Sequence, residues 1–94
     1  MKITISQIKR KLLPLLKRHG IKHAGVFGSY ATGRQTKTSD IDILVEFESP
    51  IGFFDFIRLE TFLSTLLQKK VDLVSAKAIK QGIRNEVLKD LIYV

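Results

Sequence analysis

Val26-Phe-Gly-Ser-Tyr-Ala-Thr-Gly-Arg-Gln-Thr-Lys-Thr-Ser-Asp-Ile-Asp-Ile-Leu-Val45 holds a short apolar run, a Gly-Ser turn, a polar loop and a second apolar run that carries two aspartates. Side chains two positions apart on a strand project from one face, so Asp40 and Asp42 point together. Like charges held side by side repel, and a divalent cation relieves them. In the second run Ile41, Ile43, Val45 and Phe47 share one face, while Asp40, Asp42, Leu44 and Glu46 share the other. This alternation predicts a strand over 40–47 with an apolar side and a carboxylate side. Upstream, Ala24 to Phe27 read as a short strand, and Gly28-Ser29 turn the chain into one helical turn that Gly33 ends.

Working outward, Ile5, Ile8, Leu12, Leu15 and Leu16 recur at helical spacing, with Thr4 or Ser6 able to cap the start. They predict an amphipathic helix over about 5–18, stopped by Gly20 and kinked rather than divided at Pro14. After Pro50 and Gly52, the residues Phe53, Phe56, Ile57, Leu59, Leu63, Leu66 and Leu67 predict a second helix with a wide apolar stripe, whose aromatic rings read as core. Val71 to Val74 is a third strand, and 79–91 a last helix that buries Ile83, Val87, Leu88 and Leu91.

The expected fold is α/β (α+β), a small mixed sheet of about three strands packed with helices, in a single domain over 1–94. A short connection favours an antiparallel first pair of strands, and a helical crossover makes the second and third parallel. Gly28 and Ser29 then meet the beginnings of strands two and three at one sheet edge. Asp72, between Val71 and Leu73, falls on the same face as Asp40 and Asp42.

Three converging carboxylates form an oxygen donor set suited to magnesium or manganese, completed by water and substrate phosphates. Gly28-Ser29 offers the complementary half, because glycine permits close backbone approach and a helix start presents amide donors to an anion. The combination fits a metal-chelated nucleoside triphosphate whose alpha phosphorus is attacked by an acceptor hydroxyl. In a two-metal arrangement one ion activates the nucleophile and the other stabilises the leaving oxygens.

Composition narrows the function class. Sixteen Lys and Arg against nine Asp and Glu give +7, a charge that attracts nucleotides, nucleic acid or an acidic partner. Lys2, Lys9, Arg10, Lys11, Lys17, Arg18 and Lys22 precede every acidic residue, and read first as a solvated helix face and second as a docking patch. The chain has no cysteine, which excludes disulfides, thiolate metal sites and cysteine nucleophiles. No apolar run approaches the ~20 residues that span a membrane, and the first residues lack the features of a secretory signal, so cytoplasm is the default expectation. Two histidines, His19 and His23, are too few for a zinc site and read as surface or cap residues. Tyr30 reads as packing or as a border to the nucleotide, and Lys80 and Arg84 as solvated helix charges.

Gly28-Ser29, Ser39-Asp-Ile-Asp-Ile-Leu-Val45 and Val71-Asp-Leu-Val74 together resemble the minimal nucleotidyltransferase family of the DNA polymerase beta superfamily. Asp55-Phe-Ile-Arg-Leu59 and the closing Ile-Tyr-Val94 extend the resemblance over nearly the whole chain. It implies that Asp40 and Asp42 bind two catalytic magnesium ions, that Asp72 completes the site and helps activate the acceptor hydroxyl, and that Gly28 and Ser29 hold the triphosphate of ATP. Thr32 stands where many relatives carry arginine; Arg34, two residues on, is the candidate replacement contact, with Lys37 as the alternative.

Small members of that family resemble antitoxins encoded beside a HEPN-domain ribonuclease. The resemblance implies AMP transfer from ATP to a hydroxyl of that toxin, a tyrosine, which silences it. A chain of this length leaves the acceptor to dock as another molecule, in a complex with the toxin. The competing readings are a non-catalytic antitoxin that neutralises by occlusion, and nucleotidyl transfer to a small molecule or an RNA end. RNA is compatible with the charge but not required by it, and no aromatic single-strand platform is visible.

Overall fold

The computed structural model describes residues 3–79 and 81–94. Lys2 and Lys80, named above for their charge, lie outside the described residues. Helix α1 runs Ile5–Leu12 and opens on a capping box: the Gln7 amide donates to Thr4 Oγ1 (3.2 Å), and the Thr4 amide to Gln7 Oε1 (2.8 Å). The expected single helix with a kink is instead divided, since Pro14 is the N-cap of a separate short helix α2, Leu15–Arg18. Proline supplies no amide to continue the ladder of α1, and its fixed φ suits a helix start.

Strand β1 spans Ile21–Phe27, three residues longer at its start than expected. The apolar count misses that start because Lys22 and His23 are exposed on the strand, and a register irregularity between Ile21 and His23 shifts the alternation. Helix α3 is the single turn Ser29–Thr32, ended by Gly33 in the left-handed conformation. Strand β2 is Ile41–Phe47, helix α4 Phe53–Leu67, and strand β3 Val71–Ser75. A 3-10 turn at Ala76–Ala78 precedes helix α5, Gln81–Lys89, and strand β4 is Ile92–Tyr93.

The sheet has four strands in the order β3-β2-β1-β4, one more than expected. The added strand pairs antiparallel with β1, Gly25 opposite Tyr93 and Val26 opposite Ile92, and the Val94 amide donates to the Ala24 carbonyl at 2.9 Å. Two residues are too short for any periodicity to register. The other pairings follow the expectation: β1 with β2 antiparallel, β2 with β3 parallel.

One sheet face carries the core. Ala24 and Val26 of β1, Ile41, Ile43 and Val45 of β2, and Val71 and Leu73 of β3 pack against Ile8, Leu12 and Leu15 of the first two helices and Leu59, Leu63 and Leu67 of α4. The opposite face carries Asp42, Leu44 and Glu46, and Leu91 crosses it over Gly25, where a Cβ would come within 2.6 Å of Leu91 Cδ1. Glycine there lets the C-terminal segment lie directly on the strand.

Two apolar expectations are overturned. Phe53 and Phe54 are 72% and 74% exposed, and Ile57 and Phe62 are exposed as well, so the stripe of α4 buries Leu59, Leu63 and Leu67 rather than its aromatic start. Of these rings, Phe56 reaches the core margin, edge-on to Phe47. The last helix is shorter than expected and buries nothing fully; Ile83 is 56% and Leu88 41% exposed. Periodicity marks a face capable of burial but not whether anything covers it.

Candidate active site

Phe27, Asp42 and Asp72 stand in one row across three strands: Phe27 is the Cα partner of Asp42 in the antiparallel pair, and Asp42 of Asp72 in the parallel pair. The two aspartates therefore lie side by side at the sheet edge where β1 ends and β2 and β3 begin. Asp40 sits just before β2, anchored by the neighbouring Ile41 amide, which donates to the Lys70 carbonyl at 2.9 Å. All three carboxylates are part-exposed.

Burial pushes the Asp42 carboxyl above its ordinary value, and the charges of Asp72 and then Asp40 push it further. Desolvation and like charge both disfavour the ionised carboxylate, and burial is the larger of the two here. Lys70 Nζ lies 3.7 Å from Asp40 Oδ2, an exposed ion pair that sequence spacing did not single out. Among the described residues, no three His, Cys, Asp or Glu side chains form a set that could hold an ion by themselves. The donors are nonetheless all hard oxygens on one edge, an open arrangement that fits magnesium, which keeps waters and takes phosphate oxygens.

Gly28 connects the turn to the carboxylates. Its φ is +71°, and a Cβ built on it would collide with the Asp42 carboxylate. Glycine is required twice over here, by the backbone and by its neighbour. Ser29 follows as the first residue of α3, part-exposed at the same edge. The Thr32 hydroxyl donates back to the Gly28 and Ser29 carbonyls, both at 3.3 Å, so this side chain stabilises the turn itself. Arg34 is exposed and its amide donates to the Ser29 carbonyl at 2.9 Å. Its guanidinium is not drawn into the carboxylate row by any described hydrogen bond or ion pair.

The loop from Arg34 to Ser39 is ordered by its own side chains: the Thr36 amide donates to Ser39 Oγ at 2.8 Å, and Thr36 Oγ1 lies 3.2 Å from both Thr38 Oγ1 and Ser39 Oγ. Lys69 Nζ donates to the Lys37 carbonyl at 2.6 Å, tying this loop to the end of α4. Beside it lies a groove of about 530 Å³ lined by Tyr30, Thr36, Lys37, Lys69, Lys11 and Gln7, among others. Tyr30 is buried, which raises its hydroxyl pKa, and this favours packing over nucleotide stacking. His23 is exposed, 4.0 Å from Glu46, and His19 caps α2 and tilts against Phe62, so neither approaches the carboxylates. Arg84 lines a small cleft of about 120 Å³ with Leu44 and Glu46, away from the Gly28-Ser29 turn.

Glu60 and Ser64 of α4 are polar residues that sequence reading passed over. The Leu73 amide donates to Glu60 Oε2 at 2.8 Å and the Val71 amide to Ser64 Oγ at 2.9 Å. The available signal was two polar residues four apart beside the apolar stripe, which cannot be told from ordinary helix flank without the fold.

Known proteins share this architecture. The protein adenylyltransferase MntA of Thermococcus cleftensis is 45% identical over 80 residues, covering 85% of this chain and 81% of that protein. A solved structure described as a candidate minimal nucleotidyltransferase superposes with a TM-score of 0.81 at 35% identity, covering 96% of this chain and 95% of its own. A crystal structure of a toxin–antitoxin with AMP-PNP superposes with a TM-score of 0.81 at 26% identity, over 90% of this chain and 70% of that one. No helix among the described residues is long and apolar enough to cross a membrane. The model of the nucleotidyltransferase domain matches residues 5–94, and with a row of carboxylates beside a Gly-Ser turn the chain belongs to that family, as a minimal nucleotidyltransferase.

Proposed function

We propose that this chain is a metal-dependent adenylyltransferase that moves AMP from ATP to a tyrosine hydroxyl of a HEPN-domain ribonuclease toxin, and so neutralises it. The observation that carries the reading is the placement of Gly28 against the Asp42 carboxylate, with Asp72 as its register neighbour. This couples the turn suited to a triphosphate directly to the acidic row suited to a cation. The relatives named protein adenylyltransferases support AMP as the transferred group. The related toxin–antitoxin with AMP-PNP supports ATP as its source and a toxin as the acceptor.

Asp40, Asp42 and Asp72 would hold magnesium, two ions in the full reading, which would supply positive charge to the triphosphate and to the oxygens that gain charge during transfer. Gly28 and Ser29 hold the triphosphate, and Arg34, exposed just beyond α3, supplies a further phosphate contact. The acceptor oxygen forms a bond to the alpha phosphorus as the bond from that phosphorus to the bridging oxygen breaks. Pyrophosphate leaves, and the hydroxyl proton passes to Asp72 and on to solvent. Most of the catalysis asked of the protein is orientation of acceptor and phosphorus along one line.

A binding-only antitoxin is the second reading, and the exposed Phe53, Phe54 and Ile57 favour it, since clustered exposed apolar groups mark contact surfaces. The trial is incubation with α-labelled ATP, magnesium and a co-encoded HEPN protein. Label on the partner that disappears in Asp40→Asn is expected. Neutralisation of the partner by unlabelled native protein and by Asp40→Asn/Asp42→Asn alike decides for occlusion, and label on RNA in place of protein moves the acceptor class.

A further inference from the structure

Strand β3 lies at an edge of the sheet, with β2 on one side. The outward amides of an edge strand ordinarily go to water, and such a strand can shift by fractions of an ångström. At Val71 and Leu73 of β3 they go instead to α4. The Leu73 amide donates to Glu60 Oε2 at 2.8 Å, the Val71 amide to Ser64 Oγ at 2.9 Å, and Ser64 Oγ in turn donates to the Glu60 carbonyl at 3.0 Å. All of these bonds are part-buried. Asp72 is the one residue between the two tethered amides.

The match is geometric. Residues four apart on a helix are separated by about 6 Å along its axis, and alternate residues of a strand by about 6.6 Å. Glu60 and Ser64 therefore present two acceptors at the spacing of two outward strand amides. The turn that makes α4 and β3 neighbours is itself held, with Gln68 in the left-handed conformation and the Lys69 amide donating to the Ser64 carbonyl at 3.1 Å. The bond to the Glu60 carboxylate is charge-assisted, the stronger kind.

We propose that Glu60 and Ser64 are positioning residues that fix Asp72 through the backbone of β3. The proposal rests on the reading of Asp72 as a member of the transfer site. Asp72 is held from β2 by the ladder and from α4 by the clamp, whereas Asp40 lies outside its strand and its carboxylate engages an exposed lysine. Neither Glu60 nor Ser64 meets substrate; each acts on where the Asp72 carboxylate stands. Misplacement of a reacting group by about 1 Å costs up to ~100-fold in rate, so a clamp of this kind bears on turnover.

The experiment compares the native chain with Glu60→Ala, Ser64→Ala and Glu60→Gln. Amide exchange at Val71 and Leu73, and the response of the Asp72 carboxyl carbon resonance to magnesium, are followed by NMR. AMP transfer is measured in parallel. In Glu60→Ala the Leu73 amide exchanges faster, the Asp72 response to magnesium shifts, and kcat falls about ten-fold or more with KM for ATP little changed. Glu60→Gln, whose amide oxygen accepts the same bond, recovers most of the loss. Ser64→Ala gives the corresponding changes at Val71 and carries the test if Glu60→Ala does not fold.

Faster exchange at Leu73 or Val71 with native kcat and a native Asp72 response overturns the proposal and leaves the clamp a support of the fold alone. Unchanged exchange overturns it too, because no clamp then exists. If the native chain transfers no AMP, the transfer reading fails separately, and the Asp72 resonance decides the positioning claim by itself.

Discussion

Asp42 and Asp72 are direct Cα partners across the parallel ladder of β2 and β3, so the sheet itself holds two carboxylates on one face in neighbouring strands. Parallel pairing permits this only because the crossover through α4 returns the chain in register, Ile41 beside Val71. The consequences can be measured one by one.

Asp42 carries a cost in the metal-free protein. Its carboxyl is raised by burial first, then by Asp72 and Asp40. A carboxyl of raised pKa binds its proton more tightly folded than unfolded, so stability falls as pH climbs from the unfolded value, about 3.9, through the raised folded value. The loss is complete once pH exceeds the raised folded value. Without divalent cations, Asp42→Asn is therefore expected to melt above the native chain at neutral pH, with the difference fading in acid. Thermal melts by circular dichroism at the two pH values check this, and a lower neutral melting temperature for the variant contradicts it.

Under the proposed metal-dependent reading, magnesium is expected to reverse the balance. A ligand that binds the folded state alone raises its stability by mass action, about 2.7 kcal/mol at a hundred-fold excess over Kd. Added magnesium is expected to raise the melting temperature of the native chain and to leave Asp42→Asn nearly unmoved. Chelation with EDTA is expected to abolish labelling of the acceptor. Equal thermal shifts in both proteins place the ion elsewhere.

Gly28→Ala and Gly33→Ala separate strain from collision. Both glycines have positive φ, and a Cβ at Gly33 meets nothing within 4 Å, while one at Gly28 meets the Asp42 carboxylate. Gly33→Ala, in the left-handed region, is expected to cost about 1–2 kcal/mol of stability through backbone strain. Gly28→Ala is expected to cost more, since its φ of +71° with ψ of −148° is nearly reserved for glycine and its Cβ also collides. Transfer activity should survive in Gly33→Ala and be lost in Gly28→Ala, as read by initial rates on protein confirmed folded. Comparable activity in both means that the Asp42 carboxylate has another place to stand.

Two apolar positions on α4 should behave in opposite ways. Leu63 is buried among core residues, so Leu63→Ala is expected to cost about 2–5 kcal/mol. Phe54 is largely exposed, and Phe54→Ser should fall within about 0.5 kcal/mol. Urea titrations compare the two directly, and a large loss at Phe54 identifies a contact that the isolated chain does not make.

The pairing of Asp42 with Asp72 was legible because strand parity is strict, and both could be assigned to a face by counting from Ile41, Ile43, Val71 and Leu73, whereas Asp40 falls before β2, where parity does not reach. The antiparallel and parallel pairings followed from connection length alone. Other features needed the third dimension. Gly28 meets Asp42 only through the β1–β2 register, and Glu60 and Ser64 meet β3 only through the angle at which α4 returns. The register irregularity near His23 and the two-residue strand at Ile92 leave no periodic trace. Ile83 and Leu88 misled for the opposite reason, since their helical spacing is real but α5 has no layer above it among the described residues.

The bonds from α4 to Val71 and Leu73 also bear on how copies of the chain behave toward one another in solution. A sheet margin whose donors are already consumed cannot recruit a foreign strand at those positions, so β3 is guarded against runaway edge-to-edge polymerisation without a covering loop or a proline.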